Sequence, residues 1–187
     1  MSAMRIGLLP VILATLVLLA GCVPWINFQS PEVLAPRQSS VSLGYCPPLA
    51  GELSYRHSLN NDADFGVKFS YAGILPSLMV DVKREVLHGR ATGSLVGGLL
   101  VVGKKGAGVY PGFLLGSRRV YAGLFAPAVL TWPEHRYWNW GWFAAPHVVA
   151  GASFGRRLRL IPEVAIGYWM PDPAPVGYLG VAVQYTF

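Results

Sequence analysis

Alternation of apolar and polar residues recurs along most of the chain and limits its fold more than any other feature. In the last ten residues, YLGVAVQYTF, every second residue is large and apolar: Leu179, Val181, Val183, Tyr185 and Phe187. Successive side chains of a β-strand point to opposite faces, so this run predicts a strand with one apolar face. A helix would need apolar residues three and four positions apart instead.

Similar runs follow one another after the first 38 residues. Short turn-rich pieces such as NND, HGR and PDPAP separate them, as expected of connections between antiparallel strands. The runs span residues 41–45, 52–59, 63–71, 78–86, 91–102, 109–116, 119–132, 145–154, 157–168 and 178–187. They predict an all-β fold, a closed antiparallel up-and-down barrel of about ten strands, or eight if the weak runs VSLGY and VYPGF form no strands.

Composition indicates which face of these strands meets solvent. The chain is 53% hydrophobic and only 13% charged, far less charged than a typical soluble domain. Beyond the first twenty or so residues, however, no apolar run reaches the length of about 20 residues that a membrane-spanning helix needs. Strands with their apolar face toward lipid satisfy both observations, and such a sheet must close into a barrel. We therefore expect a transmembrane β-barrel; the alternative is a lipid-anchored periplasmic carrier with an apolar cavity.

The first residues predict export. Residues 6–20 form an apolar stretch of signal-peptide length behind the positive charge of Arg5. The sequence LAGC, ending at Cys22, follows it and resembles the lipobox of bacterial lipoproteins. In that family the leader is cut before the cysteine, and the thiol is lipidated. The resemblance implies a signal peptide over residues 1–21, a lipid carrying acyl chains such as palmitate on Cys22, and lipoprotein-processing enzymes as partners.

Residues 22–38 have no periodicity, and we expect them to form a lipid-anchored linker before a barrel domain over 39–187. The terminal run resembles the C-terminal signature of bacterial outer-membrane barrels, which the barrel assembly machinery recognises. This resemblance implies that Leu179, Val181, Val183, Tyr185 and Phe187 form the assembly signature. It also implies a place among the lipids of the outer membrane of a Gram-negative-type bacterium, with the N-terminus anchored on the periplasmic side.

Charged residues lie mostly on the polar faces of the runs, which would line the barrel lumen. The residues expected in the lumen are Glu52, Arg56, Asp64, Lys68, Asp81, Lys83, Glu85, Arg119, Arg157, Arg159 and Glu163. Buried charges must be paired, and a ten-stranded barrel is only slightly wider than one that its own side chains fill. A salt-bridged interior is therefore the favoured interpretation, and a selectivity-setting pore lining is the alternative.

Tryptophans gather near the ends of the runs: Trp132, Trp138, Trp140, Trp142 and Trp169. Their amphipathic rings suit the membrane–water interface and predict an aromatic girdle. The stretch that contains the first four could instead form a surface patch for a partner, a glycan or a lipid headgroup.

Little in the sequence points to catalysis. His57 and Ser58 are adjacent, so on a strand they would point to opposite faces and could not form a nucleophile–base pair with each other. The other histidines are scattered, which predicts no metal site, and no cofactor motif is present. The net charge of +6 is spread along an exported chain and is no nucleic-acid footprint. The expected function is that of a small outer-membrane barrel lipoprotein with a structural or surface-interaction role and no enzymatic activity. A narrow channel and a lipid-modifying hydrolase are the alternatives.

Overall fold

The computed structural model describes residues 28–47, 50–72, 75–117, 119–132, 141–170 and 174–187, and these ranges are all-β. The strands are β1 (Ser39–Cys46), β2 (Ala50–Ser58), β3 (Ala63–Ala72), β4 (Leu75–Leu87), β5 (Thr92–Val102), β6 (Gly106–Val109), β7 (Gly112–Gly116), β8 (Val120–Phe125), β9 (Ala128–Thr131), β10 (Trp142–Ala144), β11 (His147–Ala152), β12 (Phe154–Gly155), β13 (Leu158–Trp169) and β14 (Ala174–Thr186). Within these ranges, no helix has the length and hydropathy that a bilayer crossing requires.

Strand pairing runs around the sheet and returns to its start. β1 pairs antiparallel with β2 on one side and with β14 on the other. β5 pairs with β6 along one part of its length and with β7 along another. Because β6–β7, β8–β9 and β10–β12 are successive parts of single barrel strands, the segments form a closed antiparallel barrel of ten strands. The ten-strand prediction is confirmed, and both weak runs form strands.

Prolines explain why three of the barrel strands are divided. Pro111, Pro127 and Pro146 stand between β6 and β7, β8 and β9, and β10 and β11. Proline has no N–H and cannot donate to the ladder. The carbonyl oxygens still accept: Pro111 from the amide of Ala126 at 3.0 Å, and Pro127 from the amide of Ala145 at 3.1 Å. The three interruptions therefore lie side by side in neighbouring strands without opening the wall.

Large apolar side chains cover the outer face. Leu43, Leu99 and Leu130, on three different strands, are 66%, 66% and 67% exposed. Alternate residues point inward, as Ser42 and Gly44 do on either side of Leu43. An apolar outer face is the arrangement of a membrane barrel. The carrier with an apolar cavity needs this face inside the barrel and does not fit.

The interior has two parts. Away from the end where β1 begins, it is packed with apolar side chains such as Met79, Leu100, Phe125 and Phe143, each at most 1% exposed. Nearer that end, it holds charged side chains of β2, β3 and β4 together with residues 28–38. The polar part is therefore where a functional site can be sought.

Candidate functional site in the barrel lumen

An ion-pair network joins the inner faces of β2, β3 and β4. The guanidinium of Arg56 contacts the carboxylates of both Asp64 and Asp81. Lys68 Nζ lies 3.8 Å from Asp81 Oδ2, and Lys83 Nζ lies 3.4 Å from Asp64 Oδ2. All five side chains are almost completely buried. Each charge has at least one opposite charge close to it, as buried charges require.

Gly66 makes this network possible. It lies between Arg56 on β2 and Asp81 on β4 in the strand register. A Cβ at Gly66 would come within 2.5 Å of Arg56 Nη2 and 3.1 Å of Asp81 Oδ1. Because Gly66 has no side chain, the guanidinium of Arg56 has room to cross β3 and contact Asp81.

A second polar cluster lies on the other side of the lumen. Tyr121 donates a hydrogen bond of 2.6 Å to Glu163 Oε2, and Tyr178 donates to Glu163 Oε1. Glu163 is 1% exposed, so the two phenols stabilise a buried carboxyl group. The Glu52 carboxyl group is also buried, and neither of its oxygens has a hydrogen-bond partner within the described part of the chain.

Residues 28–38 run beside the ion-pair network, and we call them the lumen segment. Residues 28–34 are buried or half-buried, and 35–38 are exposed. Lys83 Nζ donates to the carbonyl oxygens of Ser30 at 3.0 Å and of Glu32 at 2.6 Å. The Asp64 carboxylate accepts from the amide of Leu34 at 3.2 Å. Lys83 and Asp64 thus join the wall to the lumen segment.

Phe28 anchors the N-terminal end of the lumen segment. Its ring fills the space left by two glycines of adjacent strands, since a Cβ at Gly180 would come within 2.7 Å of the ring and one at Gly44 even closer. The ring also meets Tyr178 edge-on, with centroids 6.2 Å apart. Residues 28–34 of the expected linker are therefore packed inside the barrel, because lumen glycines and charges provide their partners. A cavity of about 270 Å³ remains beside it.

The structure places the charged residues expected in the lumen in three environments. Glu52, Arg56, Asp64, Lys68, Asp81, Lys83 and Glu163 are buried. Glu85 and Arg159 are half-buried. Arg119 and Arg157 are exposed, which differs from the prediction. Each directly precedes the first residue of a strand, where the interior gives way to solvent.

The outer face carries the other predicted groups. Leu179, Val181, Val183, Tyr185 and Phe187 are all exposed on the outside of the barrel at β14 and its end. Trp132 and Trp142 are exposed as well, whereas Trp169 is half-buried and stacks on buried Phe143 with centroids 4.9 Å apart. Trp169 thus packs on the core, because it occupies an inward position of β13. Trp138, Trp140, Cys22 and the signal peptide over 1–21 lie outside the described residues.

One serine–histidine pair was missed by sequence reasoning. Ser39 Oγ lies 2.8 Å from His57 Nδ1 and 3.2 Å from the hydroxyl of Tyr55, since Ser39 is opposite His57 in the register of β1 and β2. A hydrolase would also need a group that orients the histidine and donors for an oxyanion. Among the described residues, no carboxylate pairs with His57. Nor do these residues include a group of three or more His, Cys, Asp and Glu side chains that could hold a metal.

Comparison with known proteins adds one structural likeness. No family model matches the chain, and no curated protein sequence does either. A solved structure described as "KdgM porin" is similar over 80% of this chain and 99% of its own, with 10% sequence identity and a TM-score of 0.44.

Proposed function

We propose that this protein is a lipid-anchored barrel of the bacterial outer membrane whose lumen is closed by its own residues 28–38. Its role is either structural or the binding of a partner at the surface of the cell envelope. The observation that carries this proposal is the attachment of the lumen segment to the barrel wall. Lys83 and Asp64 of the wall form hydrogen bonds with its backbone. A barrel that uses buried wall charges to hold its own chain is built to stay closed.

The outward apolar face supports the membrane location. The lipid on Cys22 and the cleavage before it rest on the LAGC resemblance. Outer-membrane lipids, the barrel assembly machinery and lipoprotein-processing enzymes are the partners that this proposal requires. The lipid and the barrel would then be two separate attachments to one membrane.

The test separates these two attachments. Cys22→Ser is made with an ordinary signal-peptidase site in place of the lipobox, and the protein is followed by membrane fractionation and by gel mobility with and without boiling. We expect the unlipidated protein to reach the outer membrane and to migrate faster until it is boiled. A soluble periplasmic product would show that the lipid is the sole anchor and would reject the membrane barrel.

A gated channel is the second candidate. Lys83 and Ser94 donate hydrogen bonds to backbone carbonyl oxygens of residues 30–32 of the lumen segment, and the Asp64 carboxylate accepts one from the amide of Leu34. Charged side chains of the wall lie beside these residues. Displacement of the segment would expose a polar path. Planar-bilayer recording of the full chain tests this: discrete openings would favour the channel, and silence with verified insertion would favour the closed barrel.

A further inference from the structure

One side of the barrel rim is strongly basic. Arg156 and Arg157 form the turn between β12 and β13, and Arg159 is the second residue of β13, at the end of the barrel where β1 begins. All three line a cavity of about 390 Å³. No Asp or Glu side chain lines this cavity, and its charged side chains are the three arginines.

Two of these cations, Arg156 and Arg157, are available for a ligand. Arg156 and Arg157 are exposed, and neither forms an ion pair with another described residue. Arg159 Nε donates a hydrogen bond of 3.1 Å to the carbonyl oxygen of Arg156, which fixes the turn. The backbone of the turn is therefore fixed, and the exposed guanidinium groups of Arg156 and Arg157 meet no opposite charge from another described residue.

The cavity also has an aromatic part. Tyr185 and Phe187 line it, and both are exposed on the outer face, with ring centroids 6.0 Å apart. Between them, the amide of Thr186 donates a hydrogen bond of 2.8 Å to the carbonyl oxygen of Arg157. The cavity thus lies where the apolar outer face meets the basic rim.

We propose that this cavity binds the phosphate headgroup of an anionic phospholipid, with the acyl chains lying along the outer face of β13 and β14. Guanidinium groups match phosphate in charge and in geometry, because their planar donors bond two oxygens at once. A soluble anion would use the arginines alone, whereas a lipid also uses Tyr185 and Phe187. The inference rests on the proposed membrane location: with the rim facing the periplasm, it meets the phospholipid leaflet.

The experiment compares lipids in the intact protein. The purified chain is placed in nanodiscs of phosphatidylcholine with increasing phosphatidylglycerol, and bound phosphatidylglycerol is measured by native mass spectrometry after release. The test variant is Arg156→Gln with Arg157→Gln. The control is Arg90→Gln with Lys104→Gln, which removes the same charge from exposed positions outside the cavity.

We expect the test variant to lose roughly 10- to 30-fold in affinity for phosphatidylglycerol, and the control to stay within about twofold of the original chain. Equal losses in the two variants, or no preference for phosphatidylglycerol in the original chain, would overturn the site. If millimolar inorganic phosphate protected the protein in detergent against unfolding as well as phosphatidylglycerol does, a lipid would not be the ligand of this cavity. Failure of every form to insert into pure phosphatidylcholine would instead reject the membrane barrel. Boiling-dependent gel mobility verifies that both variants fold.

Discussion

Lys83 Nζ lies 3.0 Å from the carbonyl oxygen of Ser30, although 53 residues separate them in the sequence. The same ammonium lies 3.4 Å from the carboxylate of Asp64. One buried cation therefore contacts both the barrel wall and the lumen segment. Its contacts show that the segment and the charge network form a single packed unit.

Replacing Lys83 with Met should destabilise this unit. Asp64 would keep its contact with Arg56 but lose a second buried cation, and two backbone carbonyls would lose their donor. Breaking a buried charge pair costs about 3–5 kcal/mol. We expect a lower midpoint for loss of the fast-migrating gel band, and larger ion leakage in bilayers.

The control for Lys83 is Arg84→Gln, because Arg84 is the next residue and is exposed. Its removal should change the free energy of unfolding by less than about 0.5 kcal/mol, so the midpoint should hardly move. If Lys83→Met matched Arg84→Gln in both measurements, the wall contacts of the lumen segment would contribute nothing to closure.

Two strand glycines, one on β3 and one on β5, offer a test of the charge network. Gly66→Ala would place a Cβ within 2.5 Å of Arg56 Nη2, whereas a Cβ at Gly97 meets nothing within 4 Å. Forcing an atom into a packed interior costs about 1–3 kcal/mol. We expect Gly66→Ala to lower the unfolding midpoint in urea and Gly97→Ala to leave it unchanged. Equal effects would mean that β-strand propensity, and not the Arg56 contact, determines the result.

Alternation predicted which side of each strand faces the lumen because it depends only on the period of two residues. Buried Glu163 and exposed Val164 are neighbours in β13 and were assigned to opposite faces. The same rule fails beyond the strand ends. Arg119 and Arg157 continue the alternation of the lumen-facing residues. Each lies one residue before its strand begins, however, and is exposed to solvent.

The position of the lumen segment could not be predicted in the same way. Residues 28–38 have no period, and their partners are Lys83, Ser94 and Asp64, which lie far away in the sequence. Wall side chains mostly contact its backbone atoms, which every residue carries. Phe28 has a complementary signal in Gly44 and Gly180, but that signal requires the strand register.

The pair of Ser39 and His57 tests the absence of an activated serine. We expect a fluorophosphonate probe to leave the folded protein unlabelled, because the described residues supply no carboxylate to orient His57. Ser39→Ala should then cost about 1 kcal/mol of stability through one lost hydrogen bond, and nothing else. The matched control is Ser42→Ala, which removes a hydroxyl that bonds Ser54 across the same two strands. Labelling of the original chain that disappears only in Ser39→Ala and His57→Ala would identify a hydrolase instead.

The outward apolar face makes the cost of a new charge depend on its depth in the bilayer. Val164 lies near the middle of β13, and Leu158 is its first residue; both side chains point outward. In outer-membrane barrels an arginine costs about 2–4 kcal/mol at the bilayer midplane and about 0–1 kcal/mol near the interface. We therefore expect Val164→Arg to reduce the folded fraction in lipid vesicles far more than Leu158→Arg.

The comparison of Val164→Arg with Leu158→Arg is made by refolding from urea into vesicles and measuring the fast-migrating band. Both substitutions introduce the same side chain on the same face of one strand, so depth is the principal difference between them. In water, an outward arginine would be tolerated at either position. Equal and small effects would therefore show that the outer face of β13 is solvated. A large cost confined to Val164→Arg would place that face in hydrocarbon, with the rim at Leu158 close to the lipid headgroups.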